Sequence, residues 1–205
     1  MVADILFRSN TERSAWNVVL PKYNGDDEYE MGYLTAAKLV GRIAIYSPSH
    51  TDTLVYPIVF LYRHHIEIKI KALVEEGWYL RPDGEQFPLD RLTRSHNLEE
   101  LGGYLNDTLV EIGLFSKGDQ LLDAIGSYVT QIQKIDPKAD AFRYSYTRTS
   151  AHRNRFAKSF QGMETINIID FCASVEKLTT CLEAIGCEIK LKMNEYRDWL
   201  AILTN

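Results

Sequence analysis

Residues 54–74, LVYPIVFLYRHHIEIKIKALV, constrain the fold more than any other stretch of the chain. On a helical wheel at about 100° per residue, Val55, Ile58, Val59, Tyr62, Ile66, Ile70 and Leu73 form one broad apolar stripe. An extended strand of this composition would alternate two faces, and this pattern does not. The stretch therefore reads as a helix with a core-facing side, running from about Asp52 to Glu76, with Pro57 in its first turns and Gly77 as its stop.

The polar residues of the same stretch are sorted. His65 falls inside the apolar stripe and is expected to be a core histidine with one hydrogen-bond partner. Arg63, His64, Glu67 and Lys71 gather in an arc of roughly 100° on the other side. Arg63–Glu67 and Glu67–Lys71 have the i,i+4 spacing of surface ion pairs. Lys69 lies back toward the apolar side and is expected to snorkel. Two readings of the arc stay open: a solvated helix face, or one wall of a cleft or dimer seam. Tyr56 and Phe60 share that side, and large aromatics there favour contact with another element or chain.

The rest of the chain repeats the helical period. Asp26, Asp27 and Glu28 suit a helix start, and Tyr33, Ala36, Ala37, Val40, Ile43 and Ala44 recur at helical spacing up to Tyr46. Residues 78–95 hold Pro82, Gly84 and Pro88 and read as a long loop. Ser95 is the expected N-cap of a helix over 97–112, with Glu99 near the capping-box position, and Asp119 opens another to about Ile135. Residues 136–161 form a basic irregular segment, and 163–203 read as helix interrupted near Gly186. No segment alternates with period two over five residues. The fold class is all-α: an up-and-down helical bundle over 26–205, with residues 1–25 as an N-terminal extension and a long C-terminal helix.

Composition narrows the function. A net charge of −5 gives no bulk attraction to nucleic acid or anionic membrane. The longest apolar run, Leu54–Tyr62, is far short of a membrane span, and the N-terminus has no signal-peptide core. Cys172, Cys181 and Cys187 are odd in number and lack CxxC spacing, which points to free thiols in the cytoplasm. His64 and His65 point about 100° apart and do not easily share a metal, and no phosphate-binding glycine loop or zinc-protease motif occurs, so no metal and no cofactor are expected.

Two linked motifs carry a resemblance. Glu67, Lys71, Ala72 and Leu73 read E-x-x-x-K-A-L, and after the long loop His96, Asn97, Leu98 and Leu101 read H-N-L-x-x-L. With the later Phe142-Arg143-Tyr144, this resembles the HEPN superfamily over about residues 52–146. The resemblance implies a small helical bundle, often a homodimer, of a toxin or defence type. Many such proteins cut RNA without a metal, and others are non-catalytic partners or scaffolds. It also implies a catalytic arginine followed by a histidine. Arg91 and His96 have that spacing, although Leu92 stands where a polar residue is usual and the pair precedes the third helix. The chemistry is intelligible: a histidine exchanges protons with the 2′-hydroxyl or the leaving 5′-oxygen, and an arginine balances charge on phosphate. Arg91, His96 and His64 are thus the candidate catalytic residues, with Arg63, Glu67 and Lys71 lining a polar site. Alternatively, His96 is a structural residue bonding to Glu67. Arg143, Arg148 and Arg153, interleaved with tyrosines, suit phosphate contact and base stacking, or else form a solvated loop offsetting an acidic body. The partners implied are a second copy, RNA and an antitoxin-like protein, with no membrane.

Overall fold

A computed structural model describes residues 27–81, 89–148, 156–160 and 165–203. The protein is an all-α helical bundle. The helices are α1 (Asp27–Tyr46), α2 (Thr51–Trp78), α3 (Leu89–Arg94), α4 (Leu98–Glu111), α5 (Gln120–Ile135) and α6 (Ile168–Leu203). A single 3-10 turn, Pro48–His50, joins α1 to α2. Among the described residues, no helix is long and apolar enough to cross a membrane.

α2 is the axis of the bundle and packs against α1, α4 and α6. Its predicted stripe is buried: Ile58, Tyr62, Ile66, Ile70 and Leu73 join Leu98, Leu101, Leu105 and Leu109 of α4 in one core. Leu178, Leu182, Ile185 and Ile189 of α6 close that core. Burial of each such side chain stabilises the fold by about 1.5–3 kcal/mol. α1 presents Leu34, Ala37, Gly41 and Ala44 inward, while Ile43 is 56% exposed. This differs from the stripe expected through Ile43. Small residues on the contact line let α1 approach closely, and a Cβ on Gly41 would lie 3.2 Å from Cys172 Sγ.

Several boundaries also differ from expectation. α2 begins at Thr51, so Pro57 lies inside it and removes one backbone donor. Gly77 does not stop α2, and Gly186 does not interrupt α6. Both glycines mark close approach instead. A Cβ on Gly77 would meet Thr108 Cγ2 at 2.8 Å, and one on Gly186 would meet Leu73 Cδ2 at 3.2 Å. Tertiary packing overrides the breaker tendency of glycine at both places. The expected loop over 78–95 contains α3. The N-cap of α4 is Asn97 rather than Ser95, because the Asn97 side chain accepts from the amides of Glu99 and Glu100 at 3.0 and 3.1 Å. Asp119 caps α5 as expected, accepting from Leu121 N at 2.8 Å. A short antiparallel ladder, β1 (Tyr146–Arg148) with β2 (Phe156–Lys158), lies in the segment read as irregular. Tyr146 pairs with Lys158. Three-residue strands are too short to leave a period-two signal.

Candidate functional site

The polar arc of α2 is not a solvated face. Arg63 and Glu67 are each only 3% exposed. They are covered by the start of α4, the end of α5 and the turn that follows α5. Arg63 is the hub. Its Nη1 donates to Glu67 Oε2 at 3.3 Å, and its Nη2 donates to the His96 carbonyl at 2.8 Å and to Gln133 Oε1 at 3.5 Å. Its Nε lies 3.5 Å from Asp136 Oδ2, an ion pair outside hydrogen-bond geometry.

The partners of Arg63 fix the backbone around them. Gln133 Oε1 also accepts from Leu98 N at 2.9 Å, one of the amides that a helix start leaves without an internal partner. Gln133 Nε2 donates to the Pro137 carbonyl at 2.9 Å. Asp136 Oδ1 accepts from the amides of Asp140 and Ala141 at 2.9 and 3.0 Å. That turn holds Ala139 at φ 58°, a left-handed conformation that an L side chain resists. The Ala139 carbonyl accepts from Arg143 Nε at 2.8 Å. One buried guanidinium thus ties α2, α4, α5 and the 136–141 turn together.

On the outer side of this clasp lies a cavity of about 270 Å³. Arg63, His64, Glu67, His96 and Arg143 line it, together with Tyr33 and Phe60. His96 Nδ1 is 2.8 Å from Glu67 Oε1, the bond anticipated from the sequence as a structural alternative for His96. A carboxylate only accepts, so Nδ1 carries the proton and Nε2 is left free on an imidazole that is 63% exposed. Lys71 Nζ donates to the same Glu67 oxygen at 2.8 Å and to the Thr93 carbonyl at 3.4 Å. Burial pushes the Glu67 carboxyl up, but its hydrogen bonds from Lys71 and His96 outweigh this and leave it below its ordinary value.

His64 sits parallel to the Phe60 ring at 5.8 Å between centroids and edge-on to Tyr33 at 4.3 Å. Burial lowers its pKa; the Glu67 charge opposes this, and Lys71, Arg143 and Arg63 reinforce it. A neutral imidazole in that position is able to accept a proton. The Arg143 guanidinium lies over Phe60 at 5.6 Å and over Tyr144 at 5.5 Å. The site therefore offers two imidazoles, a carboxylate that orients one of them, and a cation at the rim.

Not every expected residue gathers there. Arg91 is on α3 and lines a different cavity with Trp78 and Tyr104. Arg91 and His96 do not share a cavity, because α3 turns the Arg91 side of the segment toward α4. Arg148 belongs to β1, but its side chain lies outside the described residues, as does Arg153 altogether. Sequence reading missed Gln133 and Asp136. Gln133 is an isolated buried polar residue on α5, and Asp136 stands in a segment marked only by its basic charge. No local spacing links either to Arg63. Among the described residues, no group of three or more His, Cys, Asp or Glu side chains is arranged to hold a metal ion. Compared with known family models, curated proteins and solved structures, the chain has no significant match.

Proposed function

We propose that this chain is a HEPN-like protein of the toxin or defence kind that cleaves RNA at the His64–His96 cavity without a metal ion. The observation that carries this reading is the opening of both imidazoles onto one cavity, with Glu67 orienting His96 and Arg143 at the rim. His64, held neutral, takes the proton of a 2′-hydroxyl as that oxygen attacks the adjacent phosphorus. His96 enters the step as the imidazolium, with its Nδ1 proton held by Glu67, and gives its Nε2 proton to the departing 5′-oxygen; the Glu67 carboxylate balances the imidazolium charge. Arg143 balances charge on the phosphate. The products are a 2′,3′-cyclic phosphate end and a 5′-hydroxyl end. Arg91, away from this cavity, has no part in the step.

A second reading is favoured by Arg63. Its guanidinium is buried and bonded within the fold, so this arginine holds the bundle together rather than meeting a phosphate. On that reading the protein is a non-catalytic partner-binding module, of the same fold and dimeric. Total RNA with EDTA separates the two. The enzyme reading expects cyclic phosphate ends from wild type and a fall of about 100-fold or more in His96→Ala and in His64→Ala. A folded wild type that leaves RNA intact rejects it and leaves the partner-binding reading. Light scattering on the same sample measures whether a second copy is bound.

A further inference from the structure

Next to the His64–His96 cavity lies a larger one, of about 520 Å³, on the far side of Arg143. Tyr56 of α2 and Phe142 form its wall, with Phe160 beyond them. Phe142 and Phe160 meet edge to face at 5.0 Å, and Tyr56 lies 6.4 and 6.5 Å from these two rings. Tyr144 and Tyr146 line the mouth and are largely exposed. Lys158, paired with Tyr146 across the ladder, adds a second cation to that of Arg143. The backbone here is held by Ser159, whose amide donates to the Ser145 carbonyl at 3.0 Å and whose hydroxyl donates to the Tyr144 carbonyl.

We propose that this second cavity receives an unpaired base of single-stranded RNA, one nucleotide or so away from the phosphate that sits at His64 and His96. The proposal rests on the RNA reading above and adds the substrate class. Aromatic rings with free faces are what an unstacked base stacks on, and a paired base has no such face to offer. Arg143 lines both cavities, so one cation faces the phosphate that joins the two positions. Lys158 faces the phosphate on the other side of the base. A protein of net charge −5 has no general attraction for RNA, so contact depends on this local pairing of rings and cations. The volume falls within the range of pockets that enclose a small ligand, about 300–1,000 Å³.

The test uses the full chain and a short 2′-O-methyl oligoribonucleotide carrying 2-aminopurine, which cannot be cut at its blocked 2′ positions. Wild type is expected to quench the 2-aminopurine on binding and to bind the same sequence more weakly as a duplex. Tyr144→Ala combined with Tyr146→Ala is expected to weaken binding about tenfold or more and to abolish the quench. Lys158→Gln, which leaves the rings in place, is expected to reduce the salt slope by about 0.7. Equal binding by wild type and the tyrosine variant, with RNA bearing free 2′-hydroxyls still cut in a His96-dependent way, overturns this proposal alone. If wild type neither binds nor cuts RNA, both readings fall together. Tyrosine-dependent capture of a polyglutamate peptide in place of RNA overturns the proposal in favour of a protein partner.

Discussion

His64 and His65 are neighbours in the chain and opposites in the structure. His65 has no exposed surface and lies between α1 and α6, with Nε2 3.4 Å from Thr179 Oγ1 and Nδ1 3.6 Å from Glu30 Oε1. His64, one residue earlier, is half-buried between Phe60 and Tyr33 and opens on a cavity. Burial lowers the pKa of both. A lowered pKa therefore does not separate a structural histidine from one fit for proton transfer. What separates them is the surroundings: core and a nearby carboxylate for His65, and a cavity shared with a second imidazole for His64.

The comparison breaks most severely if the clasp beneath His64 is removed. Arg63→Ala leaves the buried Asp136 carboxylate without its cation and Glu67 with Lys71 alone, and is expected to destabilise the fold by about 3–5 kcal/mol in urea unfolding. A loss below about 1 kcal/mol would show that the clasp is dispensable. The two histidines themselves should separate next. His65→Ala opens a hole in the core and is expected to cost about 2–4 kcal/mol, against under about 1 kcal/mol for His64→Ala at the cavity wall. Equal losses would erase the distinction drawn between them.

Acidification gives a smaller effect with a definite sign. The folded pKa of His65 lies below its unfolded value of about 6.5, so the unfolded chain binds more protons in that window. Its contribution is complete above about pH 6.5 and is lost as pH falls from there toward the folded value. Wild-type stability should fall on acidification, by at most about 1.4 kcal/mol per pH unit for this group, and His65→Leu should flatten that slope. An unchanged slope in the variant would assign the effect to other groups. The smallest change expected is at the turn beyond the clasp. Ala139→Gly relieves a left-handed alanine and should raise stability by up to about 1 kcal/mol, visible as a higher unfolding midpoint.

Much of the fold was legible because its signals are local. The α2 stripe, the inward His65 and the Asp119 cap all follow from spacing within a few residues. The Glu67–His96 bond was anticipated differently, from a histidine at a helix start facing the polar arc of α2 across the bundle. Burial of Arg63 and Glu67 was not legible. A helical wheel shows which residues share a face, and whether that face is covered depends on residues 133–141, about seventy positions away. Ser95 and Asn97 are both good caps two residues apart, and only the geometry of α3 decides between them. Gly77 and Gly186 look like helix ends in the sequence because their role is to admit a neighbouring side chain, which no local pattern records. The aromatic cavity assembles Tyr56 with Phe142 and Phe160, which lie far apart in the chain, so only its ingredients were visible.

The bond from Leu98 N to Gln133 Oε1 has a consequence for measurement. That single amide proton is held by a side chain of α5, while the carbonyl of His96, two residues earlier, is held by Arg63 of α2. Its exchange with deuterium therefore times the parting of three helices at the cavity rather than fraying of one helix end. Exchange at Leu98 as slow as in the α4 interior would mean that the candidate site opens only when the whole bundle does. Faster exchange would give the site a clock of its own, readable at one residue and without any substrate.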